Sequence, residues 1–259
     1  MFCLLFIEFK TFCIEWVFIN SYKTKRQTLK MKLLLLPGLD GTGKLFAPLI
    51  EALPSSIDVQ VITYPLNKKQ SYSELIEYVK QNLPKEDFIL LAESFSGPIA
   101  YEIALFKPAE LKSLILVATF LENPRPILLK FIPSSRILAL PIPTILSRMF
   151  FLGFSIKRKT IDLFNEAIKI VSPNVIQHRL KEIAQLKPSN QKVKLEITYI
   201  QATNDKLVPS KSLQDWQKVC DDIEVFKVKG EHFILQANSI RCAEIVTEAV
   251  RLITRTRSE

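Results

Sequence analysis

The sequence predicts an α/β protein built on a doubly wound, mainly parallel sheet with helices on both faces and a helical insertion. Three observations predict it. From Met31 onward, apolar runs of strand length alternate with stretches of helical periodicity, the pattern of a parallel sheet covered by helices. The apolar runs are near-continuous in Val, Ile and Leu, as strands buried on both faces require. The alternation breaks once, between 119 and 194, a gap too long for an ordinary connection.

The elements follow in chain order. KLLLL (32–36) is the first strand, DVQVITY (58–64) the second, DFILLA (87–92) the third, LKSLILVAT (111–119) the fourth, KLEITYIQA (194–202) the fifth and IEVFKV (223–228) the sixth. Helices are expected near 44–53, 71–82, 96–107, 208–219 and 236–254, joined to the strands by right-handed crossovers. Residues 31–119 and 194–259 then form the core, and 120–193 an inserted cap or lid over one edge of the sheet. The insertion opens with Pro124, Pro126, Pro133, Pro141 and Pro143 and continues with SRMFFLGFSIKRK and NVIQHRLKEIAQL.

Residues 1–30 are unlike the rest. Seven aromatics crowd into MFCLLFIEFKTFCIEWVFINSY, followed by the basic KTKRQTLK. Glu8, Lys10 and Glu15 interrupt every apolar run, which argues against both a signal peptide and a membrane-spanning helix. Two readings remain, an edge hairpin or an extension upstream of a start at Met31. The position of Met31 directly before the first strand favours the second.

With 259 residues, 48% of them hydrophobic, the chain can bury a large core and its length fits one domain. Cys3, Cys13, Cys220 and Cys242 are scattered, without a C-x-x-C pair, so a reducing, cytoplasmic setting is expected. His178 and His232 are the only histidines, and no ligand spacing accompanies them; neither a metal nor another cofactor is expected. The net charge of +9 concentrates in one region, where residues 120–193 carry 12 Lys+Arg against 4 Asp+Glu. No nucleic-acid-binding signature accompanies that surplus, and a solvated basic face accounts for it.

In an open parallel sheet, ligands bind beyond the carboxyl ends of the strands. Four polar or glycine-rich segments stand there: PGLDGTG after the first strand, AESFSG (92–97) after the third, TND (203–205) after the fifth and KGEH (229–232) after the sixth. AESFSG has the logic of a strand–turn–helix elbow that holds a nucleophile in a strained conformation, with Ala92, Ser96 and Gly97 small where space is short. Ser94 is the candidate nucleophile. His232 lies in the last strand–helix loop and is the candidate general base, while His178 points away from an apolar helical face of Ile176, Leu180 and Ile183. Asp205 is the candidate to orient the imidazole, although an Asp before Val208-Pro209 also suits a plain turn; Glu122 is the reserve.

The stretch GLDGTGKL matches seven of the eight positions of the phosphate-loop pattern G-x-x-x-x-G-K-[ST]. Its last position is Leu45, which cannot hold a magnesium ion. A glycine-rich turn beside a serine elbow also makes an anion hole, with backbone N–H groups of Leu39 and Phe95 aimed at a developing oxyanion. Nucleotide binding through this loop stays open as the lesser reading.

From about Met31 to Leu252 the chain resembles the α/β-hydrolase superfamily, with PGLDGTG as oxyanion loop, AESFSG as elbow, ATNDKLVP as acid loop and GEHF as histidine loop. Pairing G-x-D-G-T-G with E-S-F-S-G looks most like the esterase, lipase and thioesterase-type members that include plant phytyl ester synthases. Ala92, Ser96 and Ala202 stand where glycines are common, and leave the three reactive side chains in place. The resemblance implies a serine hydrolase of carboxylic esters or thioesters, or an acyltransferase using the same residues; a non-catalytic binding protein of the same fold is the remaining class. A small-molecule substrate, lipid-like or carrier-bound, is the expected partner, with at most peripheral membrane contact. Phe150, Phe151 and Phe154 are candidates to line an acyl pocket. Lys157, Arg158 and Lys159 beside them are read as a solvated basic face, with a phospholipid surface, carrier protein or anionic substrate as the alternative.

Overall fold

The first strand, β1 (Lys32–Leu36), buries four consecutive leucines, so both of its faces must be covered. The computed structural model describes residues 31–140, 157–187 and 190–255. The chain divides into the units Met1–Lys30 and Met31–Glu259, and every described residue belongs to the second. The readings of residues 1–30 and of Phe150, Phe151 and Phe154 therefore lie outside the described residues.

After β1 come a short 3₁₀ turn (Lys44–Phe46) and α1 (Ala47–Ala52), then β2 (Asp58–Val61), α2 (Tyr72–Gln81), β3 (Phe88–Glu93), a 3₁₀ turn (Ser94–Ser96), α3 (Gly97–Phe106) and β4 (Leu111–Val117). Between β4 and β5 lie a 3₁₀ turn (Leu128–Lys130), α4 (Ser135–Leu138), α5 (Arg158–Lys169) and α6 (Pro173–Ala184). The chain closes with β5 (Ile197–Ala202), α7 (Ser212–Val219), β6 (Ile223–Val228), α8 (Ile234–Ala237) and α9 (Ser239–Arg255). All six expected strands are present.

Local chemistry sets the boundaries. A reciprocal capping box starts α2, with Ser71 and Glu74 each accepting from the other's backbone N–H. β4 stops at Val117 because Ala118 turns into the left-handed region, φ 44°. The helix expected from 208 begins only at Ser212, after N–H bonds from Ser212 and Leu213 back to Pro209 and Ser210 build a turn. The one expected from 236 is two helices, parted at Asn238, whose side-chain amide donates to the Lys229 carbonyl.

The six strands form one sheet of order β2-β1-β3-β4-β5-β6, and every neighbouring pair is parallel. Alternate residues feed two cores. Leu34, Leu36, Leu90, Ala92, Leu114 and Leu116 pack with residues of α2, α3 and α7 on one face. Leu33, Leu35, Ile89, Leu91, Ile115 and Val117 pack with α1, α8 and α9 on the other. The order runs outward from β1 to β2 in one direction and through β3 to β6 in the other. Where it reverses, between β1 and β3, the two following loops diverge to opposite faces and leave a crevice at their carboxyl ends.

Between β4 and β5, α6 differs from its expected helical face. Val175, Ile176, Arg179 and Ile183 are the buried positions, while Leu180 and His178 are half-buried and His178 lies 3.8 Å from Glu182. A charged residue thus takes the place that an apolar stripe assigns to leucine.

Candidate active site

Ser94 stands at the end of β3, in the crevice where strand order reverses. Its φ is 49°, a conformation that costs a residue bearing a β-carbon about 1–2 kcal/mol. Surrounding structure enforces it. Gly97 begins α3, and a β-carbon there would lie 2.1 Å from Thr119 Oγ1 and 2.6 Å from the Phe120 carbonyl oxygen; glycine lets the loop after β4 close on the elbow. Thr119 Oγ1 then donates to the Ser94 carbonyl. The Ser96 hydroxyl donates to the Pro37 carbonyl, so the Tyr64 hydroxyl, 2.6 Å away, is the donor to Ser96 Oγ. Ser96 is therefore more than a small residue: it ties the elbow to the loop after β1.

Asp205 and His232 arrive from the loops after β5 and β6, linked by the Asn204 N–H donating to the Gly230 carbonyl at 2.9 Å. His232 Nε2 lies 2.8 Å from Ser94 Oγ, and His232 Nδ1 lies 2.7 Å from Asp205 Oδ2. The other carboxylate oxygen, Oδ1, accepts the N–H groups of Leu207 and Val208, each at 2.8 Å. One carboxylate thus contacts both the turn and the imidazole, one oxygen each. With Nδ1 donating to the carboxylate, Nε2 is left to accept from the serine hydroxyl. Glu122, the reserve, is half-buried in the loop after β4.

His232 is 5% exposed. Burial on its own would depress its imidazole, but the charge and hydrogen bond of Asp205, with the charge of Glu93, raise it above the ordinary 6.5. Glu93, immediately before Ser94, is 3% exposed. Burial pushes its carboxyl up to about 7, against the hydrogen bond from Gln236, and the charge of Asp40 adds to the rise.

The glycine-rich loop lies against Ser94: a β-carbon on Gly38 would come within 3.8 Å of Ser94 Cβ. Gly41 N–H closes a turn on the Gly38 carbonyl at 3.0 Å, and the Asp40 carboxylate accepts from Thr42 N–H at 2.8 Å and from the Thr42 hydroxyl. Gly41 takes φ 70°, a conformation that glycine adopts without penalty. Leu45, where a phosphate loop carries its metal-holding hydroxyl, is instead core, packed with Ile161, Phe164 and Ala167. Among the described residues no group of three His, Cys, Asp or Glu could hold a metal ion, and no helix is long and apolar enough to cross a membrane.

The structure therefore brings Ser94, Asp205 and His232 together and sets Leu39 and Phe95 in the two loops that meet there. Sequence reasoning missed Tyr64, Thr119, Gln236 and above all Arg179. None has a local signal, because each acts through a contact between segments far apart in the chain.

Sheet order, the left-handed serine and the crevice define an α/β-hydrolase fold. Comparison with known proteins gives no match to a family model and none to a curated protein. Among solved structures, the chain is similar to a lipase-esterase related protein from Clostridium acetobutylicum ATCC 824, with TM-score 0.72 and 16% identity over 85% of this chain and 94% of that one. It is also similar to the enol-lactonase from Burkholderia xenovorans LB400, with TM-score 0.65 and 14% identity over 88% and 93% of the two chains. A third is the type II thioesterase BorB of the borrelidin biosynthetic cluster, with TM-score 0.64 and 16% identity over 84% and 91%. At such identity the likeness establishes the shared fold.

Proposed function

We propose that the protein is a serine hydrolase that cleaves a carboxylic ester or thioester through an acyl-enzyme on Ser94. The observation that carries this reading is the line from Asp205 Oδ2 through His232 to Ser94 Oγ, with contacts of 2.7 and 2.8 Å, ending on a serine held at φ 49°. A serine in an ordinary turn has no reason to combine strain with a buried, carboxylate-held imidazole.

Ser94 Oγ attacks the substrate carbonyl as its proton passes to His232 Nε2, and Asp205 stabilises the imidazolium. The carbonyl oxygen becomes an oxyanion received by the N–H groups of Leu39 and Phe95. Collapse expels the alkoxide or thiolate, which takes the proton from Nε2. Water then attacks the acyl-serine with His232 again as base, releasing the acid and restoring the hydroxyl. An alcohol in place of that water gives acyl transfer by the same residues. Residues 120–193 are proposed as the cap that shapes the acyl site, and the acyl group as lipid-like or carrier-bound. Thioesterases and esterases among the fold neighbours support this substrate class.

The test is intact mass after a fluorophosphonate, comparing wild type with Ser94→Ala, followed by p-nitrophenyl esters of increasing acyl length with and without alcohol acceptors. A single adduct lost in the variant is expected. Folded wild-type protein that takes no adduct would move the assignment to a binding protein of this fold.

A further inference from the structure

We propose that Arg179 is a positioning residue that locks the glycine-rich loop and the elbow into one anion hole; this rests on the hydrolase reading. Arg179 comes from α6, in the insertion, and is only 2% exposed. A buried guanidinium is expensive unless its donors are satisfied, and here they are directed at backbone. Nη1 donates to the carbonyls of Leu39 at 2.7 Å and Asp40 at 2.9 Å, and Nη2 to that of Pro65 at 3.0 Å.

Those contacts fix the peptide that matters. The N–H of Leu39 shares a peptide plane with the Gly38 carbonyl, which is held by Gly41 N–H at 3.0 Å. The next two carbonyls of the same turn are held by Arg179, so no plane from Gly38 to Gly41 is free to rotate. The fit leaves no slack, since a β-carbon on Gly41 would lie 2.6 Å from Nη1. On the elbow side, the guanidinium carbon sits 5.9 Å from the centre of the Phe95 ring and 5.7 Å from that of Tyr64, and Tyr72 stacks on Phe95 at 4.7 Å between ring centroids. One side chain thus touches both segments whose amides are assigned to the oxyanion. A lysine has the charge but not the planar fork that serves three carbonyls at once.

The experiment compares wild type, Arg179→Lys and Arg179→Ala, each first shown folded by thermal melting, on a short p-nitrophenyl ester and with a trifluoromethyl ketone inhibitor whose hemiketal oxyanion uses the same amides. Arg179→Lys is expected to lower kcat about 10- to 100-fold with KM changed less than about threefold. Affinity for the ketone should fall in parallel with kcat/KM, and millimolar guanidinium should restore part of the kcat of Arg179→Ala. Wild-type kcat in folded Arg179→Lys, or a loss of kcat with ketone affinity retained, would overturn the positioning role while leaving the hydrolase reading intact. Absence of Ser94-dependent turnover in the wild type would overturn both.

Discussion

Gln236 donates from Nε2 to Oε1 of Glu93 at 3.1 Å in the protein interior, one residue before the strained Ser94. This single bond leaves a buried carboxyl that prefers to be neutral, and burial pushes it up to about 7. Between its ordinary 4.5 and about 7 the unfolded chain has released the proton that the folded chain retains. Stability therefore falls as pH rises through that window, by up to about 3 kcal/mol. Glu93→Gln keeps the acceptor oxygen and removes the titration. Thermal melting at pH 5 and pH 8 should show the variant gaining on the wild type at the higher pH; an equal difference at both values would contradict this.

The same carboxylate raises His232 through space, alongside Asp205. On the hydrolase reading His232 must be neutral to accept the serine proton, so the acid limb of kcat/KM should lie above 6.5, the ordinary imidazole value. In Glu93→Gln that limb should move to lower pH. A pH profile of ester hydrolysis in both proteins decides it, and an unmoved limb counts against the coupling.

Asp205→Asn should act on chemistry far more than on folding. Both of the Oδ1 contacts to Leu207 and Val208 N–H can be kept by the amide oxygen, whereas the charge facing Nδ1 is lost. A fall in kcat on the order of 10³ to 10⁴ is expected, with a melting temperature within a few degrees of wild type. Unchanged turnover would return Asp205 to a plain turn residue.

Gly97→Ala should be costly although the backbone there is ordinary helix, φ −56°. Its new methyl meets Thr119 Oγ1 at 2.1 Å and the Phe120 carbonyl at 2.6 Å. Overpacking of this kind lowers Tm by roughly 5–10 °C. Adding Thr119→Ala removes only the first clash, so the double variant should recover little.

Much of the fold could be read from sequence because it depends on periodicity. The leucines of 32–36 and the apolar run of β3 have to be inside whatever surrounds them, and the loops that follow carry the glycines and polar residues of the rim. Strand ends were less legible. Ile62 and Tyr64 look like strand, but Tyr64 N–H leaves the ladder for the Gly41 carbonyl, a partner more than twenty residues away. Ser94 and His232 were legible as candidates because the turn AESFSG follows a strand directly and His232 is one of two histidines, the one in a strand–helix loop. Arg179 could not, since its spacing from Ile176 and Ile183 puts it beside the apolar face of NVIQHRLKEIAQL but its charge reads as solvent-facing. Its burial is decided by carbonyls in two loops that the sequence places more than a hundred residues earlier.

Ser94 at φ 49° has a consequence beyond rate. A glycine there would relax the turn at no steric cost, so Ser94→Gly should melt higher than the wild type while turning over nothing. On the hydrolase reading, durability and turnover thus pull in opposite directions at this one residue. Lys107 at φ 53° and Ala118 at φ 44° bear the same penalty without a hydroxyl, so the comparison with Lys107→Gly and Ala118→Gly separates what the turn costs from what the serine side chain adds.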